Sequence, residues 1–344
     1  MSTTDTSVIH DIRDVARVAG VSIGTVSNVL NRPHMVADTT RERVEEVIAR
    51  TGFVRNASAR HLRQGRTRTI GLVVQDVMNP FFTEVARAAE DAATDSGYLL
   101  YLCNSAGSPE KEAAYLRALV EQQVSGVLLT PLQEIPAVMN TLRARGTPVV
   151  LVDRASEQPD QCSTAVDDVH GGDLAASHLL SIGRRRIAFI SSTWSIRQCA
   201  DRRAGVRRAL RRARLSVRDH LRELVVPEMM TPAAGEQAVE DLLAEGLPDG
   251  IFCANDVLAL GVLRGLLRHG VKVPQDVALI GYDDIEIAAA SPVALSSVRQ
   301  PTAAVSRRAG ELLLEECDRP AEHRHQQLVF MPELVIREST GGHG

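Results

Sequence analysis

Apolar positions recur at helical spacing through residues 12–51. Ile12, Val15, Ala16 and Ala19 fall at i, i+3, i+4 and i+7, the spacing of a helix with one buried face, and Gly20 ends it. Ser22, whose hydroxyl can accept from a first-turn N–H, precedes a second run of Ile23, Val26, Val29 and Leu30. A third helix begins near Asp38 or Thr39 and turns Val44, Val47 and Ile48 inward before Gly52. Two helices joined by a short turn containing glycine form a helix-turn-helix, so residues 1–55 are expected to fold as a small three-helix head.

The pattern lapses over residues 56–69. Only Ala59 and Leu62 are available for apolar contact, and residues 53–69 carry five arginines. That is too little to fold alone, so the segment reads as a hinge: a linker with one marginal helix, from Asn56 to about Arg63, that forms when docked. From Ile70 onward, short apolar runs (IGLVV, YLLYL, GVLLT, PVVLV, RIAFI, GIFCA, VALIG) alternate with amphipathic stretches such as 81–96 and 110–123. Such runs suit strands buried on both faces, and repeated strand–helix units imply a doubly wound parallel sheet. The 275 residues are too many for one sheet. An α/β body of two lobes is therefore expected over 70–344, one lobe taking about 70–165 and 299–324, the other about 166–298 and 325–340.

Composition narrows the class. The chain has 344 residues, 44% hydrophobic, enough for a sizeable core in more than one domain. Its start lacks a basic region followed by an apolar one, and no apolar stretch of about 18 residues occurs, so secretion and membrane association are disfavoured and a cytoplasmic location is expected. The five cysteines are far apart in sequence, form no CxxC and stand beside no spaced histidines, so they read as reduced core thiols with no metal and no cofactor. Charge is uneven: residues 1–69 hold 11 Arg against 7 acidic residues, net +4, while the remainder is net −8. A basic head on an acidic body points to a polyanion partner for the head.

The string VSIGTVSNVLNRP fits that partner. A recognition helix offers short polar side chains to base edges while its other face packs inward, and Ser22, Thr25, Ser27, Asn28 and Asn31 are interleaved with Val26, Val29 and Leu30 accordingly. IRDVARVAGVSIGTVSNVLN, followed by TRERVEEVIARTGFVRNASARHLR, resembles the head and hinge of the LacI/GalR family of bacterial repressors. The resemblance implies that Ile23, Gly24 and Asn28 fall where relatives read the major groove. Ile23 departs from the polar pattern of some relatives but can meet a thymine methyl, whereas Gly24 offers backbone alone. The resemblance also makes Asn56, Ala59, Arg60, Leu62 and Arg63 the DNA contacts of the hinge helix, with Leu62 as a minor-groove wedge.

The body resembles the same family along its whole length, and through it the periplasmic sugar-binding proteins. NPFF (79–82) stands at the end of the first strand, where open α/β sheets gather ligands. The resemblance places VDR (152–154), Arg202, FCAND (252–256) and GYDD (281–284) at the same edge. Asp153, Arg202, Asn255 and Asp283 would then converge on a hydroxyl-rich ligand, with Phe81, Phe82, Trp194 and Met230 as its apolar walls. The arginine-rich run DRRAGVRRALRRARLSVRD reads as a solvated helix face rather than a second nucleic-acid site.

The expected function is a ligand-controlled transcription repressor that binds a palindromic double-stranded operator as a homodimer, with a sugar-like effector in the cleft. The chain ends without a leucine heptad, so a tail-mediated tetramer is not expected. A solute-binding protein with no role on DNA is the alternative; it calls for a signal peptide and no basic head. An enzyme is not expected: the carboxylate pairs Asp167–Asp168 and Asp283–Asp284 come without GxSxG, a Walker loop or HExxH.

Overall fold

The structure is a computed structural model, described here for residues 11–53, 67–132, 138–226 and 229–342. The chain divides into two compact units, Met1–Thr67 and Arg68–Gly344.

The first unit contains α1 (Ile12–Ala19), α2 (Ile23–Asn31) and α3 (Asp38–Thr51). Each start has a physical reason. Asp11 caps α1 by accepting from the amides of Arg13 and Asp14, while the Asp14 carboxylate accepts from the Asp11 amide, a reciprocal capping box. Ser22 caps α2 through the Thr25 amide at 3.0 Å. Gly20 and Gly52 end α1 and α3 in the left-handed region, at φ 65° and 63°. Val15, Ala16, Ala19, Val26, Val29, Val44 and Val47 make the core, and Ile12, Leu30, Ile48 and Phe53 pack against it. Ile23 falls at helical spacing with Val26 and Val29 but lies outside their core and is 48% exposed, as an outward position on the recognition helix requires.

The second unit runs β1 (Thr69–Val74), α4 (Pro80–Asp95), β2 (Leu99–Asn104), α5 (Pro109–Glu121), β3 (Gly126–Leu129), α6 (Val138–Ala144), β4 (Val149–Val152) and β5 (Ser163–Val166). It then crosses to α7 (Asp168–Ser181), β6 (Ile187–Ser191), α8 (Arg197–Arg212), α9 (Val217–His220), β7 (Leu221–Val225), α10 (Pro232–Glu245), β8 (Gly250–Cys253), α11 (Asp256–Arg268), β9 (Ala278–Asp283), α12 (Glu286–Ala289) and β10 (Ser296–Arg299). The chain returns through α13 (Thr302–Asp318) and β11 (Gln327–Phe330) and ends in β12 (Glu333–Val335). The first sheet has the order β11-β5-β4-β3-β1-β2 and the second β12-β10-β9-β8-β6-β7; every pairing is parallel except β10 with β12. The two-lobed α/β architecture expected from the strand–helix alternation is present.

Three connections join the lobes, at Asp167, at Gln300–Pro301 and at Met331–Pro332. The last differs from the expected division, which gave 325–340 to the second lobe: Leu328 and Val329 pair with Thr164 and Ala165 in the first sheet, so the crossing comes after β11. A second difference concerns β2, read as buried on both faces. It is an edge strand, with Leu99 68% exposed and Tyr101 and Leu102 about half exposed. Among the described residues no helix is long and apolar enough to cross a membrane.

Glycines set one helix contact that matters for the site. A Cβ on Gly172 of α7 would stand 2.1 Å from the Arg202 carbonyl oxygen, and one on Gly205 of α8 2.1 Å from that of Val169. The two backbones therefore touch, and this seats Arg202 directly over α7.

Candidate functional site

On the head, the outward side of α2 carries the residues expected to read DNA. Ser22, Ile23, Gly24, Asn28 and Asn31 are exposed, while Thr25 and Ser27 are half-buried. Several are engaged locally. The Thr25 hydroxyl lies 2.9 Å from that of Ser22, and the Asn31 amide donates back to the Ser27 carbonyl at 2.7 Å. Asn28 and Ile23 present the exposed polar and apolar groups between them. The hinge residues Asn56, Ala59, Arg60, Leu62 and Arg63 lie outside the described residues.

In the second unit, the carboxyl ends of both sheets face one cavity. It is lined by Gln75, Asn79, Phe81, Phe82 and Asp153 of the first lobe, and by residues of the second that include Gln198, Arg202, Met230, Asn255 and Asp283, with Gln300 on a connection. Seven of the eight residues expected to bind ligand are thus brought together. Trp194 is not among them: its ring stacks on Phe189 at 6.0 Å, beneath the Arg203 guanidinium. Local structure positions the others. Asn79 caps α4 through the Phe81 amide, placing both phenylalanines in its first turn, and Asn255 caps α11 through the Leu258 amide. Asp153 and Asp283 end β4 and β9 at φ 57° and 104°, backbone strain of the kind that collects at functional sites.

Polar contacts cross from lobe to lobe. The Asn79 amide donates to Asp283 Oδ2 at 3.1 Å, and the Gln300 amide to Asp283 Oδ1 at 2.8 Å. The Gln198 amide donates to Asp153 Oδ2 at 2.9 Å. Arg202 is buried, its Nε 2.7 Å from Asp168 Oδ1 and its guanidinium 3.5 Å above the Tyr282 ring, and it also donates to the Ala254 carbonyl. Burial drives the Asp283 carboxyl up to about 6 against the pull of Arg202, Asn79 and Gln300. Burial and the nearby Asp168 carboxylate likewise raise Asp153.

Three oxygens in this cavity have no hydrogen-bond partner. Asp153 Oδ1, Gln198 Oε1 and Gln300 Oε1 are buried and make no hydrogen bond. Each such group costs about 1–3 kcal/mol when left unsatisfied, so three at one place describe a surface made to meet a polar partner. The cavity itself holds about 40 Å³, room for a few waters at roughly 10–15 Å³ each.

Sequence reasoning missed Gln75, Ile196, Gln198, Cys199 and Gln300. A lone glutamine on a helix or connection carries no pattern, whereas Asn79 falls in the NPFF motif at the end of the first strand. Asp256, next to the Asn255 cap, holds the Ile285 amide and the Ser297 hydroxyl from a fully buried position. The arginine-rich helix α8 has a solvent-exposed face, as expected, with Arg208, Arg211 and Arg212 exposed; ion pairs organise it, Arg203 and Arg207 both gripping Glu223 and Arg208 and Arg212 pairing with Asp173. The cysteines are not all remote from histidine, since Cys162 lies beside His323 and His325.

Residues 11–56 match the family profile described as bacterial regulatory proteins, lacI family, and residues 176–340 that of a periplasmic binding protein-like domain. The chain is 35% identical over 333 residues to the HTH-type transcriptional repressor PurR of Vibrio campbellii, covering 96% of this chain and 98% of that protein. Among solved structures it resembles the lac repressor dimer bound to operator and the anti-inducer ONPF, with a TM-score of 0.80 and 25% identity over 96% of this chain and 99% of the other. It also resembles the transcriptional regulator CelR in complex with cellobiose, with a TM-score of 0.70 and 30% identity over 96% and 100%. With its helix-turn-helix head, two-lobed body and near full-length similarity to these repressors, the chain belongs to the lacI family of bacterial regulatory proteins and is a DNA-binding transcription repressor, not an enzyme.

Proposed function

We propose that this repressor binds a palindromic operator as a homodimer and is controlled by a sugar or sugar-like polyol held in the cleft between its lobes. The observation that carries the effector class is the trio of buried, unpartnered oxygens on Asp153, Gln198 and Gln300, which hydroxyls, able both to donate and to accept, can satisfy. A polyol brings several hydroxyl donors at once, and the Arg202 guanidinium and the Asn255 amide can answer its lone pairs. Phe81, Phe82 and Met230 supply apolar walls for the ring faces. The cellobiose complex of CelR, a structure of the same fold, supports the same ligand class.

A cavity of about 40 Å³ does not admit such a ligand, since small-molecule sites offer about 300 Å³ or more. Binding therefore exchanges the Asn79–Asp283 and Gln198–Asp153 contacts for contacts to ligand and resets the lobe separation. In a dimer that separation governs whether two hinge helices can fold together on DNA, which couples the cleft to the operator. Base reading falls to Ser22, Ile23, Gly24, Thr25, Ser27, Asn28 and Asn31, and minor-groove wedging to Leu62 with Asn56, Ala59, Arg60 and Arg63 beside it.

The test is fluorescence anisotropy of purified protein on duplex from its own upstream region, with and without a panel of sugars and nucleosides. Specific binding shifted by a sugar is the expected result. Affinity no greater than for random duplex at physiological salt removes the operator reading; a shift by a nucleoside alone removes the sugar reading and keeps the regulator.

A further inference from the structure

We infer that the first lobe holds a structural zinc ion, bound by Cys162, Glu316, His323 and His325. One donor atom from each residue lies within 4.8 Å of all the others. Cys162 Sγ is 3.1 Å from His323 Nε2 and 3.7 Å from His325 Nδ1, and His323 Nε2 is 3.7 Å from Glu316 Oε2. Around a tetrahedral zinc, with Zn–S about 2.3 Å and Zn–N about 2.0–2.1 Å, donor atoms stand roughly 3.3–3.6 Å apart. These three separations fall within about 0.5 Å of those edges and the rest lie within 4.8 Å, so side-chain shifts of up to about 1 Å close the shell. A cysteine–histidine hydrogen bond accounts for one of these distances, not for four donors facing one point.

Three parts of the fold supply the donors. Cys162 immediately precedes β5, Glu316 lies in the last turn of α13, and His323 and His325 sit in the connection from α13 to β11. The side chain of His323 is 2% exposed, and its other ring nitrogen, Nδ1, is buried without a hydrogen-bond partner, 4.0 Å from Glu315 Oε2. Metal-bound imidazoles usually direct their second N–H to such a carboxylate, which fixes the ring and the tautomer. The Gln326 amide points at Cys162 Sγ from 3.4 Å, which holds the sulfur in place beside the two imidazoles.

Chemistry selects the ion. One thiolate and two imidazoles are too soft for magnesium or calcium, and the thiolate and carboxylate together neutralise a divalent charge. Four protein donors leave no open position, so the ion holds structure and performs no reaction. It ties the α13–β11 connection to the start of β5, and so pins β11, the edge strand of its sheet. Both β5 and β11 lead, at their other ends, into connections to the second lobe.

The experiment uses the full chain without an affinity tag, purified from zinc-supplemented culture and analysed by inductively coupled plasma mass spectrometry. One zinc per chain is expected. Cobalt exchanged into the site should give the d–d bands of a tetrahedral ion with a thiolate charge-transfer band. His325→Ala, at an exposed position that tolerates the change, should weaken zinc affinity by about 100-fold or more, and Cys162→Ser should abolish the charge-transfer band. Cys103→Ser, which touches none of these groups, should leave both unchanged. Zinc below 0.1 per chain after titration, or stoichiometric zinc held equally by the wild type, His325→Ala and Cys162→Ser, overturns the assignment.

Discussion

Arg202 was legible in sequence as a cleft residue, but its partners were not. Its ion pair with Asp168 is buried on both sides, and its guanidinium covers the Tyr282 ring. Removing one member of such a pair leaves a charge with no water and no counter-ion, at a cost of about 3–5 kcal/mol, whereas replacing both with apolar groups is often close to neutral. Arg202→Met should therefore lower stability by about that amount in urea melts, and adding Asp168→Leu should recover most of it. A single-variant loss below about 1 kcal/mol would mean that solvent reaches the pair. At this scale the sequence marks residues whose chemistry is rare in a core, such as Asp153, Arg202 and Asp283. It does not mark Gln198 or Gln300, which become significant only when folding buries one end of an ordinary polar side chain.

Helices and central strands follow from periodicity because burial and backbone geometry agree there. The runs of β1, β3, β4, β6, β8 and β9 are apolar on both faces and lie inside their sheets. The strands that escaped notice, STAV in β5, LRELV in β7, SSVR in β10 and QLVF in β11, carry polar or charged residues because sheet position, not local pattern, decides their burial. Helix contacts are equally invisible until backbones are close. Gly172 and Gly205 look like weak points in α7 and α8, yet their missing Cβ atoms allow the two backbones to meet. Gly172→Ala would drive a methyl into the Arg202 carbonyl, and neither helix can yield without moving the Arg202–Asp168 pair. A loss of about 1–3 kcal/mol is expected, together with weaker effector binding. Gly183→Ala is no control, because Gly183 sits at φ 85°; Ala176→Gly, in the same helix α7, is a fair one, costing packing and helix propensity without displacing Arg202. Equal effector affinity in Gly172→Ala and wild type would show that the close approach does not position the cleft.

Across the whole second unit, the two lobes are held together at the cleft by a few polar contacts whose strength depends on protons. Asp283 is raised to about 6 where it is buried, so the closed arrangement binds a proton more tightly than one in which water reaches the carboxyl. By linkage, the stability this group lends to closure is fully present below its ordinary range near 3.8 and is lost as pH rises through about 6. Asn79 moderates the loss by donating to Asp283 Oδ2. Asn79→Asp keeps an acceptor for the Phe81 amide, and so keeps the cap on α4, but turns a carboxylate toward Asp283 in place of a donor. Two facing carboxylates repel above the pH at which one takes up a proton, so the variant lobes should part at pH 8 and close again near pH 5. Small-angle X-ray scattering of effector-free protein should then give a larger radius of gyration for the variant at pH 8, converging on the wild-type value at pH 5. Effector affinity at pH 8 should rise with it, because the open form that admits ligand is more populated. A variant whose scattering matches the wild type at both pH values would show that the cleft contacts do not set the lobe separation, and effector control would then have to act through another part of the body.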